Sequence, residues 1–525
     1  MTEYRRLATI NANEFRSKFE LIKELKKYYK EEYQNDERIV VNINETFNNS
    51  IYGDHLSMLQ LALNDIDISN FFILVNSNDN NIKEHVKWVT DNLSYDTVSV
   101  QISETNNDRY QATRSQLKTR YPQLNIPTES FCVLPWISLE AGPIGTVRPC
   151  CLTDDEIKDE YDQPYTLTEN SLSEIHNSEW MQILRSEFLQ GKKPTTCRKC
   201  WDTEAAGIKS KRQHMQDRLK EILATEIKWT EDAKSLMFLD LKLGNICNLK
   251  CRICGSWSSS TFATEELEQV KSKKDSWHYV MLSQGRWPRT SPHFWEDLYK
   301  MSSDLRYIEF TGGEPFMIKE HFAYLQYLVD QGFAQNIEIH YNTNGTQWPE
   351  EHIHLWKHFK LVEIAFSIDN IGIRFEYERT NATWPEVVYN LKHFFELRNK
   401  NKNIQLQLCT TINIYNVLYL ESICHWEFFD KFDFVYWNML HNSPENCIQA
   451  LPPSVKSAVA ATLRRAKVDE KTRQEFDKVI EFMNRSNGVF PKAVTDRIDE
   501  LDERRDHSLR STHPELYRLL YEEAN

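Results

Sequence analysis

The sequence predicts an α/β protein whose second half is a parallel sheet, curled or closed, built from six successive strand–helix steps. From about residue 235, short runs rich in branched and aromatic residues recur: "MFLDLKL", "LRYIEFT", "NIEIHYNTN", "LVEIAFSID", "NIQLQLCTTI" and "FDFVYWNML". Stretches of helical character separate them, among them "EHFAYLQYLVDQG" and "WPEVVYNLKHFFELRN", and strands alternating with helices favour parallel pairing. Such arrays carry their functional loops at the C-terminal strand ends, and directly after the first strand stands "ICNLKCRICG", with three cysteines in eight residues.

The remaining segments follow in chain order. Residues 1–125 predict a small α/β domain: helical "EFRSKFELIKELKKYYKEEY" precedes strand-like "RIVVNIN", "HLSMLQLALNDI" precedes "FFILVNS", and "NIKEHVKWVTDNL" precedes "TVSVQIS". It has no phosphate-loop glycine signature, so its role is not readable. Residues 126–213 are Pro- and Cys-bearing, with short strands and one helix near "LSEIHNSEWMQILRSEFLQG". The strand array occupies 235–453, and 454–525 is helical and charged, a cap on the barrel or a contact surface. A 40% hydrophobic, 27% charged composition is that of a globular protein, and no run approaches the ~18 apolar residues of a membrane span. The start lacks an apolar export signal, so a cytoplasmic location is expected. A net charge of −14 disfavours nucleic-acid binding through a broad basic face.

Eleven cysteines are present, eight of them between Cys132 and Cys254 in close groups. In a reducing compartment that pattern reads as metal ligation rather than disulfides. Cys247, Cys251 and Cys254 are spaced C-x3-C-x2-C. Three thiolates can ligate three irons of a [4Fe–4S] cube and leave the fourth iron open, and an open coordination position marks a catalytic metal. The competing reading is a zinc knuckle completed by a distant Cys or His.

This loop resembles the signature of the radical S-adenosylmethionine (radical SAM) superfamily, and later strands match that family in order. "TGGEP" follows the second strand. The resemblance implies that Gly312, Gly313 and Glu314 receive the SAM amino group, glycine admitting close backbone approach and the glutamate pairing with an ammonium. "NTNGT" places Asn344 near SAM, "FSIDN" matches the ribose-contacting position with Ser367 and Asp369, and "RFEYER" and Trp384 follow as in relatives. In "CTTINIYNV" the SAM-contacting Asn is matched by Asn413 or Asn416. Ile253 departs from the aromatic residue usual before the third cysteine, which bears on adenine packing and not on ligation. The implied fold is a partial (β/α)6 TIM-like barrel. The implied chemistry is reductive cleavage of SAM to a 5′-deoxyadenosyl radical, which abstracts a hydrogen atom from a substrate in the barrel.

Upstream, Cys132, Gly145 and Cys150 read C-x12-G-x4-C, and Cys197 and Cys200 read C-x2-C. They resemble the auxiliary-cluster domains of radical SAM enzymes, SPASM and twitch. Four cysteines suit the shorter twitch type with one fully ligated auxiliary [4Fe–4S] cluster, here N-terminal to the barrel. Four thiolates also suit structural zinc, and Cys151 is a spare thiol able to replace Cys150. A fully ligated cluster implies electron transfer, hence a net oxidation, dehydrogenation or cross-link.

For substrate handling, Glu338, His340, Asn342 and Asn344 alternate along the third strand and so share a face. If that face lines the barrel, Glu338 or His340 could deprotonate a substrate radical. The competing reading is an ordinary polar layer. Cys409 could donate hydrogen or relay a proton; packing is the competing role. Expected partners are a small polyol, sugar-like or aminocyclitol molecule or a peptide side chain, and an electron donor such as flavodoxin or ferredoxin. A non-catalytic iron–sulfur redox sensor and a zinc-stabilised interaction scaffold are the alternatives of another class. Neither needs the glutamate of "TGGEP".

Overall fold

The computed structural model describes residues 9–11, 39–44, 71–76, 98–102, 126–205, 209–222, 228–441, 443–485 and 491–523, in two units, Met1–Ser115 and Gln116–Asn525. In the first unit, β1 (Thr9–Asn11), β2 (Ile39–Asn44), β3 (Phe71–Asn76) and β4 (Val98–Ile102) pair in chain order, all parallel. The runs "RIVVNIN", "FFILVNS" and "TVSVQIS" supply β2, β3 and β4. β1 is too short to show an alternation. The helices expected between these strands lie outside the described residues.

The second unit is organised by one sheet of eight strands, β5 (Ser138–Ala141), β6 (Val147–Arg148), β7 (Phe238–Lys242), β8 (Tyr307–Thr311), β9 (Glu338–Thr343), β10 (Leu361–Ser367), β11 (Ile404–Ile412) and β12 (Phe434–Met439). Its order is β12-β11-β10-β9-β8-β7-β5-β6. The sheet does not close, and β12 and β6 are its edges. The six predicted strands are β7 to β12, parallel throughout, as a partial (β/α)6 barrel requires.

Period-two patterning divides the sheet into two faces. Leu239, Leu241, Ile308, Phe310, Ile339, Tyr341, Val362, Ile364, Leu406 and Leu408 are buried on one, where helices Lys319–Asp330 and Trp384–Lys400 bring Phe322, Leu325, Leu391 and Phe394 into the same core. Burying each such side chain stabilises the fold by roughly 1.5–3 kcal/mol. The other face, the lumen, carries polar residues at the intervening positions.

The cysteine-bearing segment is built into this sheet. β5 pairs in parallel with β7, and β6 returns antiparallel along β5. The tail forms helices Pro453–Arg465, Glu470–Met483 and Pro491–Arg505. The last of these supplies Arg505, whose guanidinium donates to the Lys250 carbonyl at 2.8 Å, so the tail reaches the three-cysteine loop.

Candidate active site

The three-cysteine loop leaves β7 through Gly244 and is fixed by its neighbours before any ligand is considered. Glu314 N–H donates to the Ile246 carbonyl at 2.8 Å, and Thr261 Oγ1 donates to the Cys247 carbonyl at 2.6 Å. The Lys250 and Arg252 amides donate to Thr380 and Glu378 carbonyls at 3.1 and 2.8 Å. Two glycines are demanded by this packing. Gly312 and Gly313 have φ of +80° and +24°, and a Cβ on them would lie 2.6 Å from the Gly244 carbonyl oxygen and 2.2 Å from that of Ile246. The "GG" of the turn is what lets it close on the cysteine loop.

Glu314 is 1% exposed. Its carboxylate accepts from Asn344 N–H at 2.7 Å, Thr343 Oγ1 at 2.8 Å and Phe316 N–H at 3.3 Å, and burial still pushes its pKa up to about 7. Asn344 turns its amide NH2 to Cys247 Sγ at 3.8 Å and to Asn248 Oδ1 at 3.1 Å. Burial, and then the neighbouring Cys251, push the Cys247 thiol up to about 12. A hydrogen bond from Cys254, then the charge of Arg379, hold the Cys251 thiol below its ordinary range against its own burial.

Arg379 is the cation of this pocket. Its guanidinium meets Asp369 at 2.6 Å and Cys251 Sγ at 3.8 Å, while its Nε–H has no partner among the described residues. The other oxygen of Asp369 accepts from the Thr411 amide at 2.8 Å. Asn413 and Asn416 are fully buried and bonded within the protein: Asn413 to Glu378 and Thr411, Asn416 to the carbonyls of Asp369 and Thr411. Ser367 ends β10 directly in register with Cys409 on β11.

A second pocket, in the upstream segment, is lined by Cys132, Cys150, Cys197 and Cys200 together, with Phe188, Trp201 and Lys211 among its walls and about 320 Å³ of unfilled space, part of it open to solvent. Burial raises the Cys132, Cys150 and Cys197 thiols. Cys151 takes another direction and accepts from Lys211 Nζ at 2.7 Å. Among the described residues no three His, Cys, Asp or Glu side chains close around a single metal ion. The four upstream thiols instead line a shared space, whereas Cys251 and Cys254 are hydrogen-bonded to each other.

With both groups in place, comparison with known families decides the reading. Residues 241–417 match the radical SAM superfamily and residues 132–201 match SPASM, an iron–sulfur cluster-binding domain. The chain carries a radical SAM domain. Radical SAM domains use a [4Fe–4S] cluster and S-adenosylmethionine, and the upstream domain is of the type that holds auxiliary iron–sulfur clusters. Comparison with curated protein sequences gives no match. Solved structures similar to the chain include native anSMEcpe with bound AdoMet, at 16% identity, TM-score 0.26, covering 39% of this chain and 51% of that one. A second is native anSMEcpe with bound AdoMet and Cp18Cys peptide, at 16% identity, TM-score 0.26, covering 39% and 50%. The chain thus spans about half the length of these structures. Among the described residues no helix is long and apolar enough to cross a membrane.

On the lumen face of the eight-stranded sheet, residues are layered by strand register. One level reads Glu140, Asp240, Glu309, His340, Glu363, Gln405 across six neighbouring strands. The level below, toward the N-terminal strand ends, includes Phe238, Tyr307 and Glu338. Glu338 is paired there with Arg218 and, at 2.9 Å, with Lys360. His340 faces Glu363 at 3.5 Å. Cys409 lies above, in register with Ser367 and Tyr436, its thiol raised to about 12 by burial and then by Asp369.

Sequence reading quoted Arg379 inside "RFEYER" without giving it a role, and passed over Asp240, Glu309 and Glu363. The signal was available: the alternation applied to strand three also places Asp240 in "MFLDLKL", Glu309 in "LRYIEFT" and Glu363 in "LVEIAFSID" on a polar face. Lys211, which stands between the four-cysteine pocket and Cys151, leaves no such signal.

Proposed function

We propose that this chain is a radical SAM enzyme that reductively cleaves S-adenosylmethionine and abstracts a hydrogen atom from a substrate held in the barrel lumen, with a net oxidation assisted by the auxiliary cluster. The observation that carries this is the joint placement of three thiols, an amino-group cradle and an unpartnered guanidinium N–H around one strand end. Cys247, Cys251 and Cys254 would hold the first cluster. When bound, cluster and cosubstrate supply the 5′-deoxyadenosyl radical that abstracts the hydrogen atom.

The protein's part is positioning and exclusion of water. Glu314, already committed to three donors and buried, would orient the SAM ammonium, with Gly312 and Gly313 leaving room for it. Arg379, pinned by Asp369, keeps its free Nε–H for an anionic group, and the SAM carboxylate is the one this chemistry brings. Asn344 would hold Cys247 through its amide. Asp369, Asn413 and Asn416 act by fixing Arg379 and the β11 end; their internal bonds favour that over direct SAM contact, and Ser367 remains the ribose candidate.

Cys132, Cys150, Cys197 and Cys200 would hold the auxiliary cluster, with Cys150 rather than Cys151 as its ligand. Lys211 lines that pocket and donates to Cys151 beside Asp240, which puts the pocket next to the lumen and supports an electron-accepting role. His340, on the lumen face and polarised by Glu363, suits proton transfer better than Glu338, which two cations neutralise at the far end of the strand. The test is anaerobic reconstitution with iron and sulfide, then incubation with SAM and dithionite. About eight irons per chain and release of 5′-deoxyadenosine support the reading. Zinc in place of iron, or no SAM cleavage, refutes it in favour of a scaffold or a redox sensor.

A further inference from the structure

The lumen level beneath the cysteine loop holds more acid than it neutralises. Of its four carboxylates, Glu140 is paired with Lys242 and Glu363 with His340. Asp240 and Glu309, neighbours in register on β7 and β8, are not so provided. Asp240 accepts no hydrogen bond from the described residues. Among the described residues Glu309 accepts two long hydrogen bonds, from Tyr307 Oη and Asn342 Nδ2, both at 3.4 Å, and its charge acts on the neighbouring His340. The nearby lysines give their hydrogen bonds elsewhere, Lys242 to Glu140 and Lys211 to Cys151, and reach Asp240 only through space.

A second, independent observation points to absent donors. Glu140 is 1% exposed, yet its Oε2 has no hydrogen-bond partner among the described residues. The same is true of Thr311 Oγ1, one level higher beside Lys242. Buried polar atoms without partners are rare in native proteins and call for a missing group. Ionised carboxylates are acceptors only, so the group that completes this level is a donor. Four carboxylates facing Lys211, Lys242 and His340 still leave the level acidic, and that excess selects a charged donor.

We propose that the substrate carries a cationic nitrogen, an ammonium or amidinium, that seats on Asp240 and Glu309. This inference rests on the proposed function, since it takes the lumen as the substrate site. Burial and then Glu309 push the Asp240 pKa up to about 7, against the opposing charges of Lys211 and Lys242. The cysteine loop begins at Gly244, four residues beyond Asp240, or ~13 Å at a rise of about 3.3 Å per residue. The cation therefore anchors one end of the substrate, and the carbon that loses hydrogen lies toward the SAM end. A lysine or arginine side chain and an amino sugar both have this design.

The test uses the full chain, reconstituted anaerobically and saturated with SAM, in calorimetric titrations with matched pairs. One pair is glucosamine against glucose; the other is a pentapeptide centred on lysine against the same peptide with norleucine. The cationic member of one pair should bind at least about tenfold more tightly, and which pair responds identifies a small molecule or a peptide as the source. Asp240→Asn and Glu309→Gln should each erase that preference while iron content stays unchanged. If either variant fails to load iron, N-acetylglucosamine and the Nε-acetyl-lysine peptide on the unaltered protein decide, because acetylation removes the charge and should cost the same factor. Equal binding within both pairs, or no binding by any probe, overturns the cation site. Release of 5′-deoxyadenosine from the same samples is read separately: amine preference without SAM cleavage refutes the proposed reaction and leaves the site standing.

Discussion

The two cysteine groups differ in what surrounds them more than in their count. The four upstream thiols line a pocket with Phe188 and Trp201 in its walls. The three at the end of β7 are gripped by donors, Asn344 on Cys247 and Arg379 on Cys251, with the acceptor Glu314 bonded to the Asn344 amide. Four thiolates satisfy a cubane by themselves and want exclusion of water; three leave a position to be filled and want groups that orient what fills it. The two pockets should therefore fail separately.

The largest effect is expected from the thiols themselves. Cys251→Ala should remove about half of the iron and all release of 5′-deoxyadenosine. Cys197→Ala should remove a similar share of iron yet leave SAM cleavage running without oxidised product. Iron counting and chromatography of 5′-deoxyadenosine check both. If Cys197→Ala also silences cleavage, the pockets are not independent.

The next effect comes from the tail. Arg252, inside the three-cysteine loop and fully buried, meets Asp502 at 2.5 Å, stacks 3.6 Å above Tyr377 and donates to the Tyr377 carbonyl at 3.0 Å. Asp502→Asn leaves a buried guanidinium without its counter-charge, which costs roughly 3–5 kcal/mol. The loop cluster should then load poorly while the upstream one loads normally. Loss of both would mean that the tail holds the whole unit together.

A smaller effect is expected at Arg379. Arg379→Lys keeps the charge but loses the planar fork that meets Asp369 and leaves Nε–H free. Both clusters should load, and KM for SAM should rise about tenfold with little change in kcat for a slow substrate-free cleavage. Unchanged KM would remove Arg379 from the cosubstrate site.

Much of this site was legible in the sequence, because its chemistry is local. Cys247, Cys251 and Cys254 lie on one loop, Gly312 to Glu314 on another, and each strand announces itself by alternation. What was not legible depends on long-range pairing. Arg252 and Asp502 are 250 residues apart, and nothing in either segment names the other. The parallel pairing of β5 with β7, which builds the four-cysteine segment into the barrel sheet, joins short strands separated by almost a hundred residues. The acidic level needed register: alternation says that Asp240, Glu309 and Glu363 each face one way, but only pairing says that they stand side by side.

The smallest predicted effect lies at that level. His340 and Glu363 have 15% and 23% of their side chains exposed and face each other at 3.5 Å. Burial alone would lower the His340 pKa, but the hydrogen bond it donates to Glu363 and the charge of Glu309 raise it overall, and the same bond holds Glu363 below its ordinary value. A histidine whose folded pKa is raised contributes stability that is complete below its unfolded value of about 6.5 and is lost as pH climbs through the folded value. The lowered Glu363 contributes above its own unfolded value and loses that contribution as pH falls through its folded one. The pair is therefore worth most near pH 5–6, about 1 kcal/mol at this exposure, or about 2 °C of melting temperature in a unit of this size. His340→Gln should show that deficit at pH 6 and approach the unaltered protein by pH 9, in thermal melts of the cluster-loaded chain. A deficit that grows with pH would mean that the imidazole is neutral where it sits. His340 would then be an acceptor already at pH 6, the acid level would carry one more uncompensated charge, and its demand for a cationic substrate would increase.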